Sequence, residues 1–325
     1  MAKTTSPVVP PVAQAGAETG SSPRDRRGRS RWLVFIATIF WAASATLARV
    51  VFRDHHVPPL SVVELRLLIA TTAMFVVLRL RQPRLLRIAA RDLPYFVTLG
   101  LFGVAAVQGG YYYSISRLGV GLAILLQYLA PSLIVAFDLL RGRHVRPAML
   151  AAVLCALAGT ACLVGGIDPR ALHASALDWA VGFGCAVSFA FYIVYSKRGL
   201  ARYAPETVLF YTFALAGLFW AVVTPPWRIV AAGYSPKLWA AFVTLGLFST
   251  LVPFRLFYAG LAHLPSSEAG IIATAEPLVA ILAAALFLHE RLGPIQLLGA
   301  LLVIGAALLA ARQTPGATEA AAERA

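Results

Sequence analysis

Charge is what this sequence has least of. Only 13% of its side chains are Asp, Glu, Lys or Arg, where a soluble domain carries about a quarter. Acidic groups are scarcer still, 14 against 28 basic ones. With 59% hydrophobic residues and a mean hydropathy of +0.76, the composition excludes an ordinary water-soluble domain and calls for lipid as solvent. Cysteine is nearly missing. Cys155, Cys162 and Cys185 are odd in number and sit inside apolar runs, which suits neither a disulfide framework nor a zinc site, so they read as small buried hydrophobes and no metal is implied. The six histidines, His55, His56, His144, His173, His263 and His289, fall in or beside loops and form no HExxH motif or paired set. A membrane-embedded enzyme, the alternative to a transporter, would need such a cluster. No GxxxxGK[ST] loop is present either, so ATP hydrolysis by this chain is not expected and no cofactor is called for.

What the sequence does have is long apolar runs. A helix needs about 20 apolar residues to cross a bilayer core. Ten such stretches are read: Trp32–Val51, Leu60–Leu80, Pro94–Ser116, Gly119–Leu140, Pro147–Gly166, Asp178–Tyr195, Glu206–Thr224, Leu238–Leu261, Ser267–Leu288 and Gly293–Ala311. The runs are too long for strands and lack barrel alternation. The fold class expected is all-α integral membrane. Residues 1–31, rich in Pro, Ala, Ser and Arg, read as a disordered cytoplasmic tail. The stretch RRGRSRWLVFIATIFWAASATLA imitates a twin-arginine export signal, but a cleaved signal would leave nine spans.

The net charge of +14 suggests nucleic acid as a partner until the positions are mapped. The basic residues cluster between spans. With the N-terminus inside, inner segments carry 19 Lys and Arg and outer ones seven, with Arg66 and Arg255 inside spans. That bias places both termini in the cytoplasm and the partner in the bilayer.

The heptapeptide FVTLGLF occurs twice, at Phe96–Phe102 and Phe242–Phe248, an offset of 146 residues. The same offset carries Ala70 onto Ala216, Tyr112 onto Tyr258, Leu118 onto Leu264 and Pro131 onto Pro277. The chain therefore reads as an internal duplication, 32–166 and 178–311, followed by a tail at 312–325. Each copy holds five spans, and five is odd, so the second copy enters the membrane upside down. The expectation is ten transmembrane helices as two inverted five-helix repeats, a recurrent transporter plan.

This arrangement resembles the drug/metabolite transporter superfamily, specifically its EamA-type branch. Carrying the likeness are EPLVAILAAALFLHERLGPIQLLGALLVIGAALL at Glu276–Leu309, WAASATLAR at Trp41–Arg49, and Arg66 in the second span. The first half departs from the pattern. It has DLLRGRHVRP where the family commonly has an acidic junction like Glu290, so no shared role in both halves is assigned to Glu290. The resemblance implies alternating-access movement of a small metabolite, amino-acid-like or amphipathic, across the cytoplasmic membrane. It names neither substrate, direction, coupling ion nor oligomeric state.

Polar groups inside spans cost roughly 2.5–3.5 kcal/mol each when charged, so they mark candidate sites. Glu276, mid-span, reads as a substrate site or proton carrier, or else as a neutral carboxyl bonded to a neighbouring helix. Gln127 and Tyr128, in the matching span of the first half, line a cavity or serve as interhelical glue. Pro131 and Pro277 bend their helices and free a carbonyl near the midplane, or are packing kinks. Arg255, with Tyr258 three residues on, is an anion clamp or a snorkelling side chain. Arg66 and Glu64, toward the outer end of their span and two apart so that they do not face one another, serve as a gate, in interspan ion pairs or as a substrate contact. Trp41, Gln108, Tyr192 and Tyr211 are weaker cavity candidates, and Tyr111–Tyr113 reads as an interfacial aromatic belt. The offset pairs Arg255 with Gly109, Glu276 with Ala130 and Arg66 with Thr212. The frame repeats and the charges do not, which places specificity on the unmatched charges.

Overall fold

The computed structural model describes residues 23–55, 57–164, 173–287 and 293–312, the side chains of 23–24, 44–55 and 283–287 excepted. Glu290, residues 1–22 and the tail beyond 312 lie outside the described residues. Among those described the chain is helical, with no strand. In chain order the helices are α1 (Pro23–His55), α2 (Pro59–Arg81), α3 (93–118), α4 (Val120–Gln127), α5 (Ala130–Leu140), α6 (Pro147–Val164) and α7 (Ala176–Leu200). They continue with α8 (Pro205–Val223), the short α9 (Pro226–Ala231), α10 (Pro236–Leu261), α11 (Ser266–Ala273), α12 (Glu276–Phe287) and α13 (Pro294–Ala311). Eight of the described helical segments are long and apolar enough to cross a membrane; α4 and α5 together make one of them.

Proline sets many of the starts. It stands at the first turn of α2, α5, α8, α9, α10 and α13, where its missing N–H would lack a helical partner anyway and its fixed φ suits the helix. Ser175 caps α7 in a reciprocal box. Its hydroxyl accepts from the Asp178 N–H at 3.2 Å, while the Asp178 carboxylate accepts from the Ser175 N–H at 2.8 Å. Gly119, at φ 83°, takes the left-handed conformation that lets α3 turn directly into α4.

The offset seen in the sequence recurs in the element boundaries. Pro59 opens α2 and Pro205 opens α8; α4 begins at Val120 and α11 at Ser266; α5 begins at Ala130 and α12 at Glu276. The two heptapeptides also share a backbone defect. Both run into a π-helical stretch, Leu99–Ala105 within α3 and Leu247–Leu251 within α10. Packing partners exchange in the same way. α1 lies against α10, α11 and α12, and α7 against α3, α4 and α5, while α6 packs on α13 and α2 on α8. The α6–α13 contact is close because Gly159 and Gly299 meet there. A Cβ on Gly159 would stand 2.9 Å from the Gly299 carbonyl oxygen, and one on Gly299 2.8 Å from that of Gly159.

The outward surface is apolar: Leu80, Leu140, Phe102, Val222 and Leu301 are all exposed, a face suited to lipid. The inside is aromatic. Phe189, Tyr192, Phe257 and Tyr258 are buried together, and Trp41 packs edge-on against Phe254 at 5.1 Å. One difference from the sequence reading is at the start. α1 begins at Pro23, inside the expected tail, because Arg27 and Arg31 are held by Glu268 of α11.

Candidate functional site

The site is built around two breaks. α4 stops at Gln127 and α5 starts at Ala130; α11 stops at Ala273 and α12 starts at Glu276. In each case a proline, Pro131 or Pro277, is the second residue of the new helix, so it cannot donate back into the helix before it. The chain resolves this with two turn residues, Tyr128 and Leu129 in one break and Thr274 and Ala275 in the other. Bonds to the third residue back bridge both breaks, Leu129 N–H to Leu126 C=O at 3.1 Å and Ala275 N–H to Ile272 C=O at 3.0 Å. The prolines therefore act by restarting a helix rather than by bending a continuous one.

The breaks put Tyr128 and Glu276 together. The Tyr128 hydroxyl donates to Glu276 Oε2 at 2.6 Å. Glu276 is the first residue of α12, where the helix dipole favours a carboxylate. Tyr128 is buried, whereas Glu276 and Gln127 keep partial access. Two further groups converge electrostatically on Glu276, the guanidinium of Arg66 and the phenol of Tyr111. Nearby is Cys185, whose thiol lies 3.7 Å from Gln127 Oε1 and 3.6 Å from the Val107 carbonyl oxygen.

Arg66 is fixed by the π-helical stretch of α10. Its Nε donates to Thr250 Oγ1 at 2.8 Å and its Nη2 to the Ser249 carbonyl oxygen at 3.2 Å, and the guanidinium lies 5.2 Å from the ring centre of Tyr112. The Thr250 hydroxyl in turn donates to Leu245 C=O, five residues back. The π geometry thus aims a hydroxyl and a carbonyl sideways at a cation. Such stretches are rare and concentrate at functional sites.

The sequence-derived candidates divide accordingly. Glu276, Tyr128, Gln127 and Arg66 come together. Gln108 is buried on α3, one turn before Tyr111 and Tyr112. Tyr192 and Tyr258 belong to the aromatic floor. The Ser196 hydroxyl donates to the Tyr192 carbonyl oxygen at 2.5 Å, so the 3.1 Å contact with Tyr258 has the phenol as donor. Trp41 packs on that floor.

Two candidates lie elsewhere. The Tyr211 hydroxyl donates to Leu86 C=O at 2.7 Å, bracing the turn after α2. Arg255 is 62% exposed and its Nε reaches Glu206 Oε1 at 3.4 Å, while Tyr258, expected on its face, is buried. The guanidinium has snorkelled to the surface and found a carboxylate there.

Two other expectations need correcting. Among the described residues neither Arg66 nor Glu64 makes an interspan ion pair; Arg66 is directed to a hydroxyl and a carbonyl of α10 and Glu64 is buried without a hydrogen-bond partner. The tyrosine run is not a belt. Successive helical residues turn by about 100°, so Tyr112 is buried beneath Arg66, Tyr111 is within electrostatic reach of Glu276, and Tyr113 donates to Asp178 Oδ1 at 2.9 Å. Sequence reasoning missed Tyr111, Tyr112, Cys185, Ser249 and Thr250. A usable signal existed for one of them, since the offset pairs Tyr112 with the buried Tyr258.

The sequence pattern of the EamA-like transporter family matches this chain twice, over residues 29–165 and 179–312. The chain belongs to the EamA-like transporter family. Among the relatives of this EamA-like transporter is YicL of Salmonella typhimurium, named an uncharacterized inner membrane transporter. It is 26% identical over 282 residues, covering 85% of this chain and 93% of its own. Another is the threonine/homoserine exporter RhtA of Escherichia coli strain K12, 28% identical over 298 residues, covering 88% of this chain and 94% of its own. A solved crystal structure shares the fold, with a TM-score of 0.69 over 87% of this chain and 96% of that one, at 23% identity. The EamA-like transporter is thus a multi-pass membrane protein of a transporter family.

Proposed function

We propose that this EamA-like transporter exports a small zwitterionic, amino-acid-like metabolite across the cytoplasmic membrane by alternating access. The observation that carries the reading is that buried Arg66 of α2 and Glu276 of α12, bonded to Tyr128, lie within electrostatic reach of one another with opposite charge. A free amino acid has a carboxylate for the guanidinium and an ammonium for Glu276. Tyr128, Tyr111 and Gln127 add hydrogen-bonding groups at the Glu276 end, and each ion of such a substrate finds a partner on leaving water. The name of the relative RhtA supports the substrate class and the direction.

The test is flux in proteoliposomes holding the purified protein. Labelled threonine or homoserine is expected to move. The methyl ester, which lacks the carboxylate charge, and the N-acetyl derivative, which lacks the ammonium, should each move at least tenfold more slowly. Equal rates for the esters, or no amino-acid flux at all, would defeat the reading.

Alternating access rests on the repeat. In this reading the described helices complete ten spans, in two inverted halves with both termini in the cytoplasm, and proton or substrate gradients supply the energy. Arg91, just before α3, and Lys237, at the start of α10, are equivalent under the offset and both exposed. Single cysteines at Arg91 and Lys237 should react with a membrane-impermeant maleimide from opposite sides, Lys237→Cys in intact cells and Arg91→Cys only after the membrane is opened. Labelling of both from the same side would remove the inversion.

A further inference from the structure

Glu64 has no part in the site just described. It lies on α2, its residue is 0% exposed, and neither carboxylate oxygen has a hydrogen-bond partner. Helical neighbours three and four residues away define its face. Towards the centre of α2 these are Leu67 and Leu68, which lie against Gly217 of α8. Towards its start they are Leu60 and Ser61, which line a cavity of about 540 Å³ together with Tyr113, Thr224, Arg228 and Tyr234. Glu64 is therefore one helical turn from the lining of a cavity at the start of α2 and one turn from the α2–α8 contact.

None of the ionisable side chains on the surrounding elements is bonded to it. On α2, Arg66 is directed to Thr250 and Ser249, and Arg79 and Arg81 lie at the far end. On α8, Glu206 pairs with Arg255 of α10 and Tyr211 bonds Leu86 C=O. On α3, Tyr95 is bonded to Tyr195 C=O and the Gly199 N–H, Tyr111 is within electrostatic reach of Glu276, Tyr112 lies under Arg66, and Tyr113 and Arg117 are bonded to Asp178. The remaining ones are Lys237 and Tyr258 of α10, Arg84 of the turn after α2, and Arg228 of α9, in the cavity wall. An ionised carboxylate cannot stay in such a place without a partner, whereas a neutral acid can, at far smaller cost.

We propose that Glu64 is the proton-carrying carboxyl of this transporter, loaded through the adjoining cavity, and that its proton permits α2 and α8 to close. Hydronium in the cavity gives a proton to the carboxylate, leaving water and a neutral acid that the α2–α8 contact accepts. Transfer of that proton back to water restores the charge, and the charged group re-opens the contact. The coupling rests on the transport reading above, but the protonation site does not, and Glu276 is left free to hold substrate.

Infrared difference spectra in lipid at neutral pH test the site directly. The carbonyl stretch of a protonated carboxylic acid without a hydrogen-bond partner should be present in the parent protein, retained in Glu276→Gln, and lost in Glu64→Gln. Should Glu64→Gln fail to fold, Glu64→Asp should shift the band. Threonine flux tests the coupling: in Glu64→Gln, accumulation driven by a pH gradient should fall at least tenfold, with threonine–threonine exchange kept within about threefold. A band that survives Glu64→Gln or is unmoved in Glu64→Asp, or gradient-driven accumulation that survives Glu64→Gln, overturns the proposal. Absence of threonine flux in the parent protein instead defeats the amino-acid reading, and the infrared result then decides Glu64 alone.

Discussion

Glu276→Gln is expected to end amino-acid transport while leaving a folded protein. The glutamine amide keeps the length of the side chain, and its oxygen can still accept from Tyr128, so the break between α11 and α12 keeps its closure. What disappears is the negative charge. An ammonium group brought into the site would then face Arg66 with no carboxylate to offset it. Truncating one member of a buried charge pair costs about 2–5 kcal/mol. At about 1.4 kcal/mol per tenfold, that is a fall in flux of about 30-fold to several thousand-fold. Tyr128→Phe removes only one hydrogen bond to a charged group, worth about 1.5–3 kcal/mol, so its fall in flux should be the smaller of the two. The measurement is labelled threonine flux in proteoliposomes, with size-exclusion profiles to establish folding. Flux within threefold of the parent protein in Glu276→Gln would remove Glu276 from the substrate site.

Glu268→Ala should produce the largest loss of stability. Glu268 is fully buried at the start of α11 and is held by two arginines of α1. Arg27 donates to its Oε2, and Arg31 donates to Oε1 at 2.6 Å and also to the Ala311 carbonyl oxygen that ends α13. Three helices from opposite ends of the sequence are thereby tied at one carboxylate. The first half has nothing comparable, because the offset puts Leu122 in the same place. Removing the carboxylate takes the acidic partner from two partly buried guanidinium groups, and breaking a buried pair costs about 3–5 kcal/mol. The expected result is a large drop in the thermal denaturation temperature in detergent, or loss of the monodisperse peak. Replacing Glu268, Arg27 and Arg31 together by leucine should recover much of the loss, since no charge is then left buried. A Glu268→Ala protein as heat-stable as its parent would show that the tie carries no net stability.

The sequence was a good guide to repetition and a poor one to direction. A fixed offset survives folding because each copy makes the same local decisions: a proline starts a helix at both Pro59 and Pro205, and FVTLGLF runs into a π-helical stretch both times. Side-chain direction has no such local rule. Tyr111, Tyr112 and Tyr113 are adjacent and alike, yet one lies within electrostatic reach of Glu276, one lies under a guanidinium and one bonds Asp178. Arg66 and Arg255 both sit in apolar spans. One is held inside by a buried carbonyl and hydroxyl of a π-helical stretch, the other reaches outward to Glu206.

The sequence by itself determined the solvent, the helical class and the duplication. Those follow from composition, run length and periodicity, which are properties of the chain before it folds. It also marked Glu276, Tyr128, Gln127 and Arg66, because a polar group in an apolar run is costly wherever the run goes. Only the tertiary structure decided which of these meet. Glu276 and Tyr128 are 148 residues apart, and Arg66 and Thr250 184 apart. Contacts at that separation depend on how helices pack and rotate about their axes, and a one-residue turn of 100° exchanges an inward group for an outward one.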